Sequence, residues 1–178
     1  KTPEQRDFLV QEAIQIFYKL FDQGQTGIVG PQFEHWMRNA ALTLMAHPEG
    51  GTLIDIPRLF TDPDFEKDRL TYVQDPVVKN FWEKQMAKTA DFHKSEMLNY
   101  FTSKFGRFMT NDMMRNIIGQ TKSSFDFREV MDGKKILICN LSNGLIGEIN
   151  AFLLGMIIVS KISIGAFSRQ DLTEEQRI

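Results

Sequence analysis

The stretch Lys134–Leu141, KKILICNL, constrains this chain more than any other feature. Its β-branched residues and unbroken apolar run are the pattern of a parallel strand buried on both faces. A strand cannot satisfy its own backbone N–H and C=O groups, and burying them unpaired is costly. No second convincing strand exists, because TGIV (26–29) and LTYV (70–73) are short. The pattern predicts that the missing strands come from a longer polypeptide or from a second copy.

After the strand come a glycine turn, NLSNGLIGE, and a helix that is apolar nearly all round: Ile149, Phe152, Leu153, Met156, Ile157 and Ile164. Strand and helix together belong in a layered α/β core. Upstream the pattern is helical. The stripe Val10, Ile14, Phe17, Phe21 predicts a first helix over about 7–21. Pro31 opens a second, carrying Phe33, Trp36, Met37, Ala40, Ala41 and Leu44. Thr52 is expected to cap a short helix over LIDIPRLF, limited by Pro57. Asp62-Pro63 and Asp75-Pro76 each pair an N-cap with a favoured first residue. The second places Val78, Trp82 and Met86 in helical register. A further helix over about 91–108 buries Met97, Phe101, Phe105 and Phe108, and Thr110 and Asp126 read as caps of two short ones. Residues 1–131 thus form an all-α domain of six to eight helices, and residues 132–178 carry the strand and its helix. The fold class expected is mainly α.

Composition narrows function by exclusion. Formal net charge is −2, so no global attraction to nucleic acid or anionic lipid exists, and any DNA contact needs a local patch. Fifteen Phe and nine Met promise a greasy, adaptable core. The single cysteine, Cys139, has no partner for a disulfide and fits a reducing cytosol. The longest apolar stretch, Phe152–Ser160, is about half of a membrane span and Lys161 interrupts it, so no span is expected. The start KTPEQRD is polar and carries no signal peptide or initiator Met, which predicts an excised or processed fragment.

The turn at Gly144 and Gly147 offers N–H groups and a helix start, but the phosphate-loop pattern needs a lysine and a hydroxyl that are absent. Glu148 suits a first helical turn. His35, His47, His93 and Cys139 lack metal-ligand spacing. Asp62, Asp64, Glu66 and Asp68 cluster, and capping explains them better than catalysis. Lys84, Lys88, Lys94, Lys104 and Arg107 run beside Trp82, Tyr100 and Phe105, a combination that can track a nucleic-acid strand. Glu83, Asp91 and Glu96 dilute that patch, and a solvated helix face is the better reading. No catalytic, cofactor-binding or metal-binding residue is assigned.

The order of segments nevertheless resembles a family. FEHWMRNAALTLMAHPEGGTLIDIPRLFTDPDF, DPVVKNFWEKQ, the run from MRNIIGQ to IIVSKI, and SRQDLTEEQR look like the central part of bacterial type IV secretion and conjugation coupling proteins. These are DNA-translocating ATPases of the HerA/FtsK branch of the P-loop NTPases. The resemblance implies an all-α insertion into a RecA-like α/β core, with 132–178 returning to that core. It implies a homo-hexamer that uses ATP and Mg in the parent protein. It further implies DNA and relaxase or other secretion substrates as partners, and a cytoplasmic place at the inner face of the membrane. Asn143 stands where relatives often have lysine. Neither Walker A lysine nor Walker B acid is present, so the chain alone is expected to be inactive as an ATPase. A second reading stays open: a free-standing helical adaptor whose strand pairs by domain swapping, with Trp36, Trp82 or the Phe-rich helix as its protein-binding surface.

Overall fold

The computed structural model describes residues 2–24, 26–89 and 91–177. It is mainly helical and divides into two compact units, Lys1–Thr121 and Lys122–Ile178.

In the first unit, α1 spans Pro3–Phe21 and begins earlier than the apolar stripe alone suggests. The reason is a capping box: the Thr2 hydroxyl accepts from the Gln5 N–H, and the Gln5 side chain accepts from the Thr2 N–H. Helix α2 (Pro31–Ala46) opens with proline as expected. Helix α3 is Asp55–Thr61, and here Thr52 plays the opposite part from a cap: its N–H and hydroxyl both donate to the Asp55 carboxylate. Helix α4 (Pro63–Leu70) is capped by Asp62, which accepts from the Phe65 N–H. Helix α5 (Pro76–Asn80) is capped by Asp75 and runs into a π-helical turn over Phe81–Met86. The widened turn still buries Val78, Trp82 and Met86. Helix α6 (Asp91–Thr110) and α7 (Asp112–Ile118) follow. Thr110 is the last residue of α6, and Asn111 caps α7 in its place, accepting from the Met114 N–H at 2.9 Å.

An aromatic core joins these helices. Phe17 of α1 meets Phe33 of α2 and Phe105 of α6 at centroid distances of 5.2 and 4.8 Å. Phe60 of α3 meets Trp36, Trp82 and Phe101 at 5.0, 5.1 and 5.2 Å. Such pairs add about 0.5–1.5 kcal/mol each beyond their buried area. The Trp82 indole N–H is also satisfied, donating to the buried Thr43 hydroxyl at 2.9 Å. Both tryptophans are 4% exposed, so neither offers the binding surface of the adaptor reading.

In the second unit, α8 (Phe127–Asp132) is capped by Asp126 as predicted. A single turn, α9 (Asn143–Ile146), leads into α10 (Glu148–Ser168), and α11 is Glu174–Arg177. Helix α8 lies against α10, where a Cβ on Gly165 would come within 3.4 Å of Phe127 and the Arg128 nitrogen. Arg128 fastens the far end, donating to the Ser168 carbonyl at 2.6 Å and to both Asp171 oxygens at 2.8 and 2.9 Å.

The strand expected over Lys134–Leu141 is not formed: the described residues contain no strand. The segment has no neighbour to ladder with, and a backbone without a ladder is not sheet.

The loop after α1 depends on Asp22. Its carboxylate accepts from the Thr26 N–H (2.6 Å) and hydroxyl (2.8 Å) and from the N–H groups of Gly27 (3.0 Å) and Val29 (3.3 Å). Burial by itself would raise this carboxyl, but the four hydrogen bonds outweigh it and hold it below the usual range. The unfolded chain therefore takes up the proton first. The stabilisation is complete above the ordinary aspartate pKa of about 3.9 and fades as pH falls through the lower folded value. Urea midpoints measured between neutral and acid pH should fall less steeply for Asp22→Asn than for the parent chain.

Candidate functional site

The chain leaves α8 through Gly133 and Lys134, the latter at φ 49°. The Lys134 and Lys135 N–H groups donate back to the Met131 and Val130 carbonyls, and the helix closes. Residues 136–141 then run on without one backbone hydrogen bond among the described residues. Their side chains alternate as a strand's would. Ile136 and Ile138 point outward, 89% and 86% exposed. Leu137 and Leu141 on the opposite face are less exposed, and Leu141 approaches Gly155 of α10, where a Cβ would meet its Cδ1 at 3.6 Å. Cys139 is exposed.

Helix α10 adds a second bare apolar surface. Ala151, Leu153 and Leu154 are buried, whereas Phe152, Val159 and Phe167 are 44%, 63% and 60% exposed. With its terminal 3-10 turn the helix covers Glu148–Asp171, 24 residues that contain an 18-residue window of mean hydropathy 1.9. Among the described residues it is the one helix long and apolar enough to cross a membrane, a test that core helices of soluble proteins also pass. Contiguous apolar surface of this kind marks a place where another surface belongs.

The turn between the segment and α10 does not fit a nucleotide phosphate. The N–H groups of Leu145 and Ile146 donate to the Ser142 carbonyl, and that of Gly147 to the Asn143 carbonyl. The Ser142 N–H goes to the Asn140 side chain. Four donors of the turn are thus already used, and no cationic side chain stands in it to hold a phosphate. Gly147 has a structural role: at φ 82° it sets the entry to α10, a conformation disfavoured by a Cβ. Glu148 sits in the first turn of that helix.

The other candidates disperse. His35 hydrogen-bonds Gln85 at 2.8 Å, His47 lies 3.7 Å from Asp68, and His93 is 4.0 Å from Glu96. No metal-holding group of three or more such residues occurs among the described residues. Asp62 is a cap: the Phe65 N–H, then Arg58, hold its carboxyl below the usual range. Asp64 and Glu66 occupy the first turn of α4, and Asp68 pairs with Arg69 at 3.5 Å.

The basic and aromatic run also separates. Trp82 and Phe105 are core residues, and Lys104 is buried, its ammonium 4.0 Å from the Tyr100 ring and donating to the Tyr100 carbonyl at 3.2 Å. Burial draws Lys104 below the ordinary lysine range. Lys84, Lys88 and Arg107 are exposed, as are Glu83 and Glu96. The side chains of Lys94 and Asp91 lie outside the described residues. The cations that do converge were not singled out in the sequence: Arg58, Arg69 and Arg115 line one cleft of the first unit.

Compared with protein-family models, with curated proteins and with solved structures, the chain matches none.

Because Ile138 touches little, Ile138→Lys should change the unfolding free energy of the isolated chain by no more than about 0.5 kcal/mol, the range of ordinary surface substitutions. An isoleucine in a packed strand would respond with a loss several times larger. Denaturant unfolding of the two proteins distinguishes these outcomes.

Proposed function

We propose that this chain is the helical domain, with one returning strand-helix segment, of a hexameric ATP-driven DNA translocase of the conjugation-coupling type. One observation carries the reading: residues 136–141 are apolar on both faces and make no backbone–backbone hydrogen bond among the described residues, beside an apolar helix whose most apolar window is only 28% buried. A parallel α/β sheet is the environment that would satisfy both. The coupling proteins, which the order of segments resembles, have a RecA-like core at the corresponding point, and this supports the reading.

Under this reading the aromatic-cored helices form a rigid body that relays motions of the ATP-driven core to DNA or to the transfer substrate. The chemistry of hydrolysis belongs to the core. ATP and Mg would be held there, because the turn at 140–147 has no lysine to grip a phosphate.

The purified chain should therefore show no saturable, Mg-dependent ATP hydrolysis, whereas a polypeptide extended in both directions along its gene should hydrolyse ATP and be stimulated by DNA. Hydrolysis by the purified chain that survives removal of contaminants would overturn the assignment.

A further inference from the structure

The cleft lined by the three arginines has a volume of about 500 Å³, within the range of small-ligand sites. Arg58 stands in the last turn of α3, Arg69 in the last turn of α4, and Arg115 in the last turn of α7. Local folding brings them together. Phe65, buried under α4, serves as a platform, with the Arg58 and Arg69 guanidinium carbons 4.1 and 4.7 Å from its ring centroid. Stacking fixes the planes of both guanidinium groups and spares them the ordering cost a mobile side chain would meet on binding.

Their donors are incompletely used. Arg58 donates through Nε to Asp62 at 2.9 Å, and its two terminal amino groups have no acceptor among the described residues. Arg69 has only 14% of its side chain exposed. One of its amino groups donates to the Gly50 carbonyl at 3.3 Å, while the other is 4.0 Å from Glu49. Its Nε is buried and makes no hydrogen bond, the Asp68 carboxylate standing 3.5 Å away. A buried donor left in this state is costly and rare unless something supplies the missing acceptor. Arg115 is anchored, donating to the Met109 carbonyl at 2.9 Å and to Asp112. It contributes charge rather than spare donors.

Among the described residues that line the cleft the one acid, Asp55, already accepts from the Thr52 N–H and hydroxyl, while Asp62, Asp68 and Asp112 stand behind the arginines rather than in the lining. Asn116 and Gln120 add amide groups on the α7 side. Several cations at one cleft, with fork-shaped donors to spare, match a tetrahedral oxyanion better than a single carboxylate.

We propose that this cleft binds the phosphate group of a small molecule, held by Arg58 and Arg69 with Arg115 supplying charge. The inference does not depend on the translocase reading, since the cleft lies wholly within the first unit.

Calorimetric titration of the 178-residue chain with inorganic phosphate and with glucose 6-phosphate, at ionic strength held constant with chloride, tests it. Saturable binding is expected, tighter for the free anion if the cleft takes phosphate itself and tighter for the ester if it takes a phosphorylated metabolite. Arg58→Gln and Arg69→Gln should each weaken it by at least about tenfold, the effect of losing one charge-assisted hydrogen bond. Lys84→Gln, on an exposed side chain outside the cleft, should leave it unchanged. If Arg69→Gln fails to fold, Arg58→Gln decides the matter alone, because its side chain is 53% exposed and its loss is tolerable. Equal heats from chloride, or unchanged binding in Arg58→Gln, would overturn the proposal. So would binding of a single-stranded DNA oligomer that neither phosphate compound displaces.

Discussion

Hydrogen-bond closure separates the two kinds of element in this protein. A helix pairs its backbone groups within itself, so a helical unit of moderate size can be complete once its apolar faces meet. An extended segment must find its partners elsewhere. Residues 136–141 have the side-chain alternation and apolar character of sheet, and none of sheet's hydrogen bonds. Much else in Lys122–Ile178 follows from that deficit, including the bare outer face of Ile136 and Ile138 and the partly covered α10.

The unit Lys1–Thr121 shows the contrasting case. Helix caps at Thr2, Asp62, Asp75 and Asn111 each accept from one or two of the first N–H groups of their helices. Rings from α1, α2, α3 and α6, with Phe81 and Trp82 of the π-helical turn, interlock at centroid separations near 5 Å, and the indole N–H of Trp82 is matched by Thr43. Asp22 ties down the loop after α1. Function in such a body would come from its surface, and its concentrated cationic chemistry sits where Arg58, Arg69 and Arg115 meet.

Local signals were the legible ones. Asp-Pro at 62–63 and 75–76 announces a helix start because cap and first residue are adjacent, and both starts are where the sequence puts them. The choice between Thr110 and Asn111 is a one-residue matter decided by how far α6 continues, which no cap signal contains. The π-helical widening at Phe81–Met86 leaves the apolar register intact and so leaves no mark on the pattern. Trp82 and Phe105, read beside lysines as a possible strand-tracking surface, belong to the core because helix faces are assigned by packing, not by neighbours in sequence. The arginine cleft was invisible for the same reason. Its cations are far apart along the chain and meet only because α3, α4 and α7 fold together.

Amide hydrogen exchange across residues 136–141, measured in the isolated chain and again in the protein as its source organism makes it, shows whether this segment is a strand in waiting. Fast exchange is expected in the isolated chain, where these groups lack partners, and strong protection in the native protein, where neighbouring strands would pair them. Equally fast exchange in both would mean that the segment is never part of a sheet. Strong protection already in the isolated chain would mean that copies pair with one another, and either result would contradict the translocase assignment.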